Sequence, residues 1–201
     1  MKNIKKILIA NRGEIAIRIA CTARKMGIEV TGVFASDDTG SAHVPHMDDS
    51  VDLGSGPVTH TYLNIEKIIR AAKEKSCDAI HPGYGFLSEN HRFAEICHQN
   101  GIIFIGPEPS VIKLLGNKIK ALEYVKSIGI PVLESFPVDL DSVKRLNGEI
   151  RYPVIVKASA GGGGKAMRLV RSKNELVEAV ETAIHEANSY FDDSEVFWRD
   201  T

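Results

Sequence analysis

The sequence predicts an α/β fold: a doubly wound parallel sheet in the N-terminal half, followed by a smaller α+β unit. Three observations predict it. Short apolar runs rich in β-branched residues alternate with helical periods up to residue 105, and this alternation breaks past Pro107 and Pro109. Beyond residue 150, four consecutive glycines join two further apolar runs.

Residues 7–10 read as the first strand. After the loop Asn11-Arg12-Gly13, Ile15, Ile19, Ala23 and Met26 recur at helical spacing, and Gly27 supplies the stop. Residues 30–35 form a second strand. Ile65, Ile68, Ile69 and Ala72 trace an i, i+3, i+4, i+7 stripe ahead of a strand at 79–80. A helix around Phe93 and Cys97 stops at Gly101, and 102–105 makes the next strand. Ala121, Leu122, Val125 and Ile128 share a helical face ending at Gly129, with Pro131 just beyond, as expected of a connecting helix. Strands at 153–158 and 166–170 flank the glycines. Ser172 with Glu175 is a capping-box pair opening a helix whose apolar side carries Leu176, Val177, Val180, Ile184 and Ala187. The expected division is therefore a first domain at 1–115, a linker helix at 116–130 and a second unit at 131–201.

A hydrophobic fraction of 43%, 25% charged residues and a net charge of -1 exclude a disordered chain and a general polyanion binder, and basic and acidic residues interleave. No nucleic-acid or membrane partner is expected. Cys21, Cys77 and Cys97 lack C-x-x-C spacing, so neither a disulfide framework nor a thiolate metal site is predicted, and a cytoplasmic setting fits. The apolar run at 7–10 is too short for a signal-peptide core or a membrane span. His43, His46, His60, His91, His98 and His185 show no metal-binding spacing and read as surface or packing residues.

The glycine run carries the strongest chemical signal. Each glycine costs about 0.5–1 kcal/mol of backbone entropy relative to alanine, so a plain hairpin needs one or two. Gly161, Gly162, Gly163 and Gly164 instead suit a backbone whose N–H groups converge on an anion such as a phosphate. Lys157 before the run and Lys165 after it would add charge-assisted contacts. A Walker A loop is excluded, because Ser159 stands where its first glycine belongs and Ala166 where its Ser or Thr belongs. The loop at Asn11-Arg12-Gly13 holds one of the three glycines of a dinucleotide fingerprint, with Asp37 as a conceivable ribose acid. The plainer reading is a strand-to-helix turn with Arg12 paired to Glu14. The Pro/Gly-rich loop at 81–90 follows a strand and precedes a helix, on the sheet edge where open α/β folds bind ligands.

Several strings then coincide. Ile-Ala-Asn-Arg-Gly-Glu-Ile-Ala at 9–16, His-Pro-Gly-Tyr-Gly-Phe-Leu-Ser-Glu-Asn at 81–90, Phe104-Ile105-Gly106-Pro107, Gly116-Asn117-Lys118 and Lys157-Ala158-Ser159 before the glycines follow the order and spacing of biotin carboxylases. The chain resembles the N-terminal part of that family over residues 6–196, the carboxylase component of acetyl-CoA, propionyl-CoA and pyruvate carboxylases. The resemblance implies a preATP-grasp domain followed by part of an ATP-grasp lid. It implies MgATP as the activator of bicarbonate and transfer of the carboxyl group to N1′ of biotin on a carrier protein. It also implies a carboxyltransferase component as a further partner and a homodimer in the complete form.

Carried onto this sequence, Lys118 and Lys157 match the family's phosphate-binding lysines, Gly161 to Gly164 its lid loop, and Met167 its adenine pocket. Three departures accompany the likeness. Lys165-Ala166-Met167 replaces Arg-Gly-Met, keeping the charge but losing the forked donor. Trp198-Arg199-Asp200-Thr201 replaces the adenine-hinge segment with its Glu-Lys pair. The family's bicarbonate-binding basic residues, magnesium-binding glutamates and general base lie in a C-terminal portion that these 201 residues do not include. The expectation is therefore a front segment with no catalytic and no metal-binding residue of its own, inactive alone. The alternatives are a non-catalytic assembly module and, last, a nicotinamide oxidoreductase binding through Asn11 to Gly13.

Overall fold

The computed structural model describes residues 3–145, 150–159, 167–191 and 194–201. The chain divides into two compact units, Met1–Lys113 and Leu114–Thr201.

The first unit is a five-stranded, all-parallel sheet of order β3-β2-β1-β4-β5. Its elements are β1 (Lys6–Ile9), α1 (Gly13–Lys25), β2 (Glu29–Phe34), β3 (Asp49–Asp52), α2 (Ile65–Glu74), β4 (Ala79–His81), α3 (His91–Gln99) and β5 (Ile103–Phe104). The pleat of β1 sends Ile7 and Ile9 to one face, where they pack with Ala16, Ile19 and Ala20 of α1. Leu8 and Ala10 go to the other face, with Ile68 and Ala72 of α2 and Phe93 and Cys97 of α3. Burial on both faces is why β1 and β2 read as continuous apolar runs. The Asn64 side chain caps α2 by accepting from Lys67 N at 3.0 Å, and Asn90 caps α3 by accepting from Phe93 N at 3.1 Å. The strand expected at 102–105 is only two residues long, and β3 was not expected at all. Its sequence, Asp-Ser-Val-Asp, lacks an apolar run because it is an edge strand, held by the ladder to β2 and by Lys75 on Asp49 at 2.9 Å.

The boundary between the units falls inside α4 (Pro109–Gly116). The second unit continues with α5 (Lys118–Ser127), β6 (Phe136–Val138), α6 (Leu140–Arg145), β7 (Val154–Ala158), β8 (Met167–Val170), α7 (Lys173–Phe191) and β9 (Val196–Asp200). Its sheet is antiparallel, in the order β6-β9-β7-β8. Leu176, Val180, Ala183 and Ala187 of α7 bury one face against Val154, Val156 and Ala158 of β7, Val170 of β8, and Val196 and Trp198 of β9. Val177 and Ile184, also expected in that stripe, are partly buried beside it. Ser172 and Glu175 meet at the start of α7, but not as a capping box: Ser172 Oγ donates to Glu175 Oε1 at 2.9 Å, Glu175 Oε2 accepts from Arg171 N at 3.0 Å, and Glu175 N donates to Ser172 O at 3.2 Å. The segment that departs from the family's adenine hinge forms β9, an interior strand, and Trp198 stacks on Phe136 at 4.4 Å between centroids.

Candidate functional site

In the first unit the chain runs from β1 outward through β2 to β3, then returns to place β4 and β5 on the other side of β1. The loops that leave the carboxyl ends of β1 and β4 therefore meet at the switch point. Asn11, 4% exposed, joins them: its Nδ2 donates to Pro82 O and to Tyr84 O, both at 2.8 Å, and its Oδ1 accepts from Arg12 N at 2.9 Å. Gly83 has φ +71°, and a Cβ there would lie 2.7 Å from Asn11 Nδ2. His81 Nδ1 accepts from Gly83 N at 3.0 Å, and burial lowers the pKa of that imidazole.

The expected Arg12–Glu14 pair is not formed. Arg12 stands before α1 in extended backbone, and its Nη1 donates to Asp38 Oδ2 at 2.5 Å, while Glu14, inside the first turn, accepts from the Tyr84 hydroxyl. The guanidinium lies over the Tyr62 ring, 5.1 Å from its centroid, and near Phe86, which stacks on Tyr62 at 5.2 Å. Tyr62 is buried; its hydroxyl accepts from Ala35 N at 3.0 Å and donates to Asp38 Oδ2 at 2.8 Å. Burial pushes the phenol up to about 12, whereas the Tyr62 hydroxyl and then Arg12 hold Asp38 below the usual carboxylate range. Asp38, not its neighbour Asp37, is thus the acid that meets this loop. Tyr62 carries no sequence signal beyond being an aromatic residue in a connection.

In the second unit, Lys157 points away from α7, because Val154, Val156 and Ala158 take the core side of β7. Met167 is its direct partner on β8 and is half exposed, with Leu169 exposed two residues on. Arg199 of β9 lies opposite Ile155, on the same sheet face as Lys157. Burial, and next the charge of Arg199, lower the pKa of the Lys157 ammonium. Among the described residues no carboxylate pairs with Lys157, and Arg199 Nε is buried without a hydrogen-bond partner.

Lys118 opens α5 beside the end of β7. Its backbone N–H donates to Ser159 O at 2.9 Å, and its Nζ lies 3.5 Å from the same oxygen. The structure thus brings Lys118 to within two residues of Lys157 along the β7 segment. Gly161, Gly162, Gly163, Gly164 and Lys165 lie outside the described residues. In the sequence, Asn117 and Ser159 are marked only as members of matched strings and Arg199 only as part of a departure, none with a role of its own, and Glu195 is not marked at all; Asn117 alone had a local signal, as a good N-cap residue before a helix.

Among the described residues no group of three or more His, Cys, Asp or Glu side chains could hold a metal ion, and no helix is long and apolar enough to cross a membrane. Cys21 is exposed, Cys77 and Cys97 are buried, and all three are free.

Known proteins resemble the chain along its length. Residues 3–112 match the family model for the biotin carboxylase N-terminal domain, and residues 117–199 match that for the ATP-binding domain of the carbamoyl-phosphate synthase L chain. The mitochondrial methylcrotonoyl-CoA carboxylase subunit alpha of Rattus norvegicus is 47% identical over 194 residues, 95% of this chain and 27% of that protein. The biotin carboxylase of Halalkalibacterium halodurans is 44% identical over 196 residues, 96% of this chain and 43% of that protein. Among solved structures, the biotin carboxylase domain dimer of Hydrogenobacter thermophilus 2-oxoglutarate carboxylase, in complex with MgADP, ADP and bicarbonate, matches with a TM-score of 0.93 at 40% identity. That match covers all of this chain and 45% of the other. The biotin carboxylase–β,γ-ATP complex from Campylobacter jejuni matches with a TM-score of 0.92 at 40% identity, over 99% of this chain and 45% of the other. The chain spans less than half the length of each of these relatives. It corresponds to a portion of an ATP-dependent carboxylase domain, and it belongs to the biotin carboxylase family.

Proposed function

We propose that these residues form the phosphate-holding end of an ATP-driven biotin carboxylase. In the whole protein, MgATP activates bicarbonate and the carboxyl group passes to N1′ of carrier-bound biotin. The observation that carries this reading is the pairing of like charges on the open face of the second sheet. Lys157 and Arg199 share that face on neighbouring strands, with no carboxylate paired to Lys157 among the described residues, and burial, then the charge of Arg199, disfavour the Lys157 ammonium in a way that a bound anion would offset. Lys118 and Lys157 would then hold phosphate oxygens, the N–H groups of Gly161 to Gly164 with Lys165 would cover them, and Met167 and Leu169 would offer an apolar surface to the base. Magnesium, when bound, neutralises phosphate charge; the described residues provide no acidic cluster to hold it.

The same reading assigns these 201 residues binding without turnover when they stand alone, since phosphoryl transfer needs metal and charge stabilisation that the two lysines do not supply. The biotin carboxyl carrier protein and the carboxyltransferase component are the proposed partners, a homodimer the proposed complete form, and the cytoplasm the proposed setting. Residues 1–115 and 131–201 are proposed as the two domains, with 116–130 as their connecting helix.

Titration of the labelled chain with millimolar ATP is the test. Shifts confined to the amides of Lys118, Lys157 and Gly161 to Gly164 are expected, with no bicarbonate- and biotin-dependent ATP hydrolysis. Silence at those amides would favour a non-catalytic assembly module, and bicarbonate-dependent hydrolysis would overturn the assignment of binding without turnover.

A further inference from the structure

Lys118 sits in a closed circuit of hydrogen bonds that ties the start of α5 to the ends of two strands. Asn117 supplies two of the links: its Oδ1 caps the helix by accepting from Lys120 N at 3.0 Å, and its Nδ2 donates to Glu195 Oε2 at 2.8 Å, across 78 residues of chain. Glu195 leads into β9, and its carbonyl accepts from Ser159 N at 2.8 Å. Ser159, fully buried, returns the circuit through its own carbonyl, which accepts from Lys118 N at 2.9 Å and faces Lys118 Nζ at 3.5 Å. No residue of α5 is buried, so core packing alone does not fix the helix start. Its side chains pack only partly, so the N-terminal bonds contribute directly to how the first turn is held.

From this geometry we infer that the Asn117–Glu195 hydrogen bond is a positioning device for Lys118, setting where its ammonium meets the phosphate of a nucleotide. This rests on the nucleotide reading above. Asn117 and Glu195 need not touch the ligand. They act by holding the first turn of α5 against the end of β7, where Lys157 projects.

The effect has a sign that distinguishes it from simple electrostatics. A carboxylate near a phosphate site repels the ligand, so on charge alone Glu195→Ala would tighten ATP binding. Positioning predicts the reverse, because the alanine leaves Asn117 Nδ2 without its anchor. Glu195→Gln keeps an acceptor oxygen for Asn117 while removing the charge, and Asn117→Ser keeps a helix-capping side chain while removing the long donor.

The experiment is ATP affinity of the 201-residue chain by calorimetry or amide titration, with thermal midpoints recorded alongside. Expected is a three- to tenfold weakening in Glu195→Ala and in Asn117→Ser, affinity at least equal to the wild type in Glu195→Gln, and no further loss in the Asn117→Ser/Glu195→Ala double variant. Wild-type or tighter binding by Glu195→Ala, or additive losses in the double variant, overturns the inference. Lys118→Gln separates the two levels. If it weakens ATP binding while Glu195→Ala does not, the nucleotide reading stands and the positioning role falls. If it changes nothing, both fall.

Discussion

Alanine at Gly83 is expected to destabilise the first unit by about 2–5 kcal/mol. Two costs add. The backbone there has φ +71°, and placing an L-residue in the left-handed region costs about 1–2 kcal/mol. The new Cβ would also lie 2.7 Å from Asn11 Nδ2 and 3.1 Å from its Cγ, so the amide has to leave. Its departure breaks the bonds to Pro82 O and Tyr84 O, worth about 0.5–1.5 kcal/mol each, with a larger penalty for whatever stays buried and unpaired. Gly101→Ala is the control, since its φ is +69° but nothing lies within 4 Å of the position a Cβ would take, leaving only the backbone cost. Urea denaturation followed through the amide signals of β1 and β4 measures both variants in the unit concerned, whereas Trp198 emission reports the other unit. The Gly83 variant should lose about 1–3 kcal/mol more than the Gly101 variant, and in an Asn11→Ala background most of that excess should disappear, leaving only the contact with the Cβ of residue 11, 3.2 Å away. Equal losses in the two glycine variants would refute the contact between Asn11 and the 81–90 loop.

Tyr62→Phe removes the oxygen that accepts from Ala35 N, leaving a buried N–H unpaired, and should cost about 1–3 kcal/mol at neutral pH in urea titrations. The same change should flatten the acid limb. Asp38 has a folded pKa below its unfolded value, so its contribution is present above about pH 4 and is lost as pH falls through the depressed value; without the Tyr62 hydroxyl less remains to lose. Arg199→Gln should raise the titration of the Lys157 amine, followed by NMR of labelled lysine, partway back toward 10.5, because burial, the larger cause, persists. With a folded value below the unfolded one, Lys157 makes the wild type gain stability as pH climbs through the folded value toward 10.5, and this gain should shrink in the variant. Leu176→Ala, at a site 2% exposed, should cost about 2–5 kcal/mol, read as an earlier urea midpoint of Trp198 emission, since the two residues share one core cluster.

The parts of the molecule that the sequence discloses are those in which one segment meets its environment on all sides. β1 and β2 are buried on both faces, so their apolar runs announce them; α2 and α7 each bury one stripe, so their 3.6-residue period does. Edge strands escape such reading. β3 is Asp-Ser-Val-Asp, and β6 carries Pro137 in its middle, which an edge tolerates and an interior strand does not. β9 carries three consecutive buried apolar residues, Val196, Phe197 and Trp198, a short apolar run that suits an interior strand, yet departure from a family pattern at the same positions masked that signal.

The site divides along the same line. Lys157 is conspicuous because it neighbours a glycine run, a local property. Arg12 has two acids within reach of a sequence argument, Glu14 beside it and Asp37 at a strand end, and the fold chooses a third. That choice follows from the order of the sheet. Because β4 is laid against β1 on the side away from β2, the loops after β1 and β4 close on each other through Asn11, while the turn Ser36–Asp38 after β2 comes alongside Arg12. Spacing along the chain contains no trace of that order: Asn11 and Tyr84 are 73 residues apart, and Asn117 and Glu195 are 78. Hydrogen bonds of such span are selected by topology, and the side chains that make them look, in sequence, like any other surface Asn or Glu. For this reason Lys157 could be singled out from residue type and neighbourhood and Lys118 only through the family resemblance, while the hydrogen bond between Asn117 and Glu195 emerged only once the strands were in place.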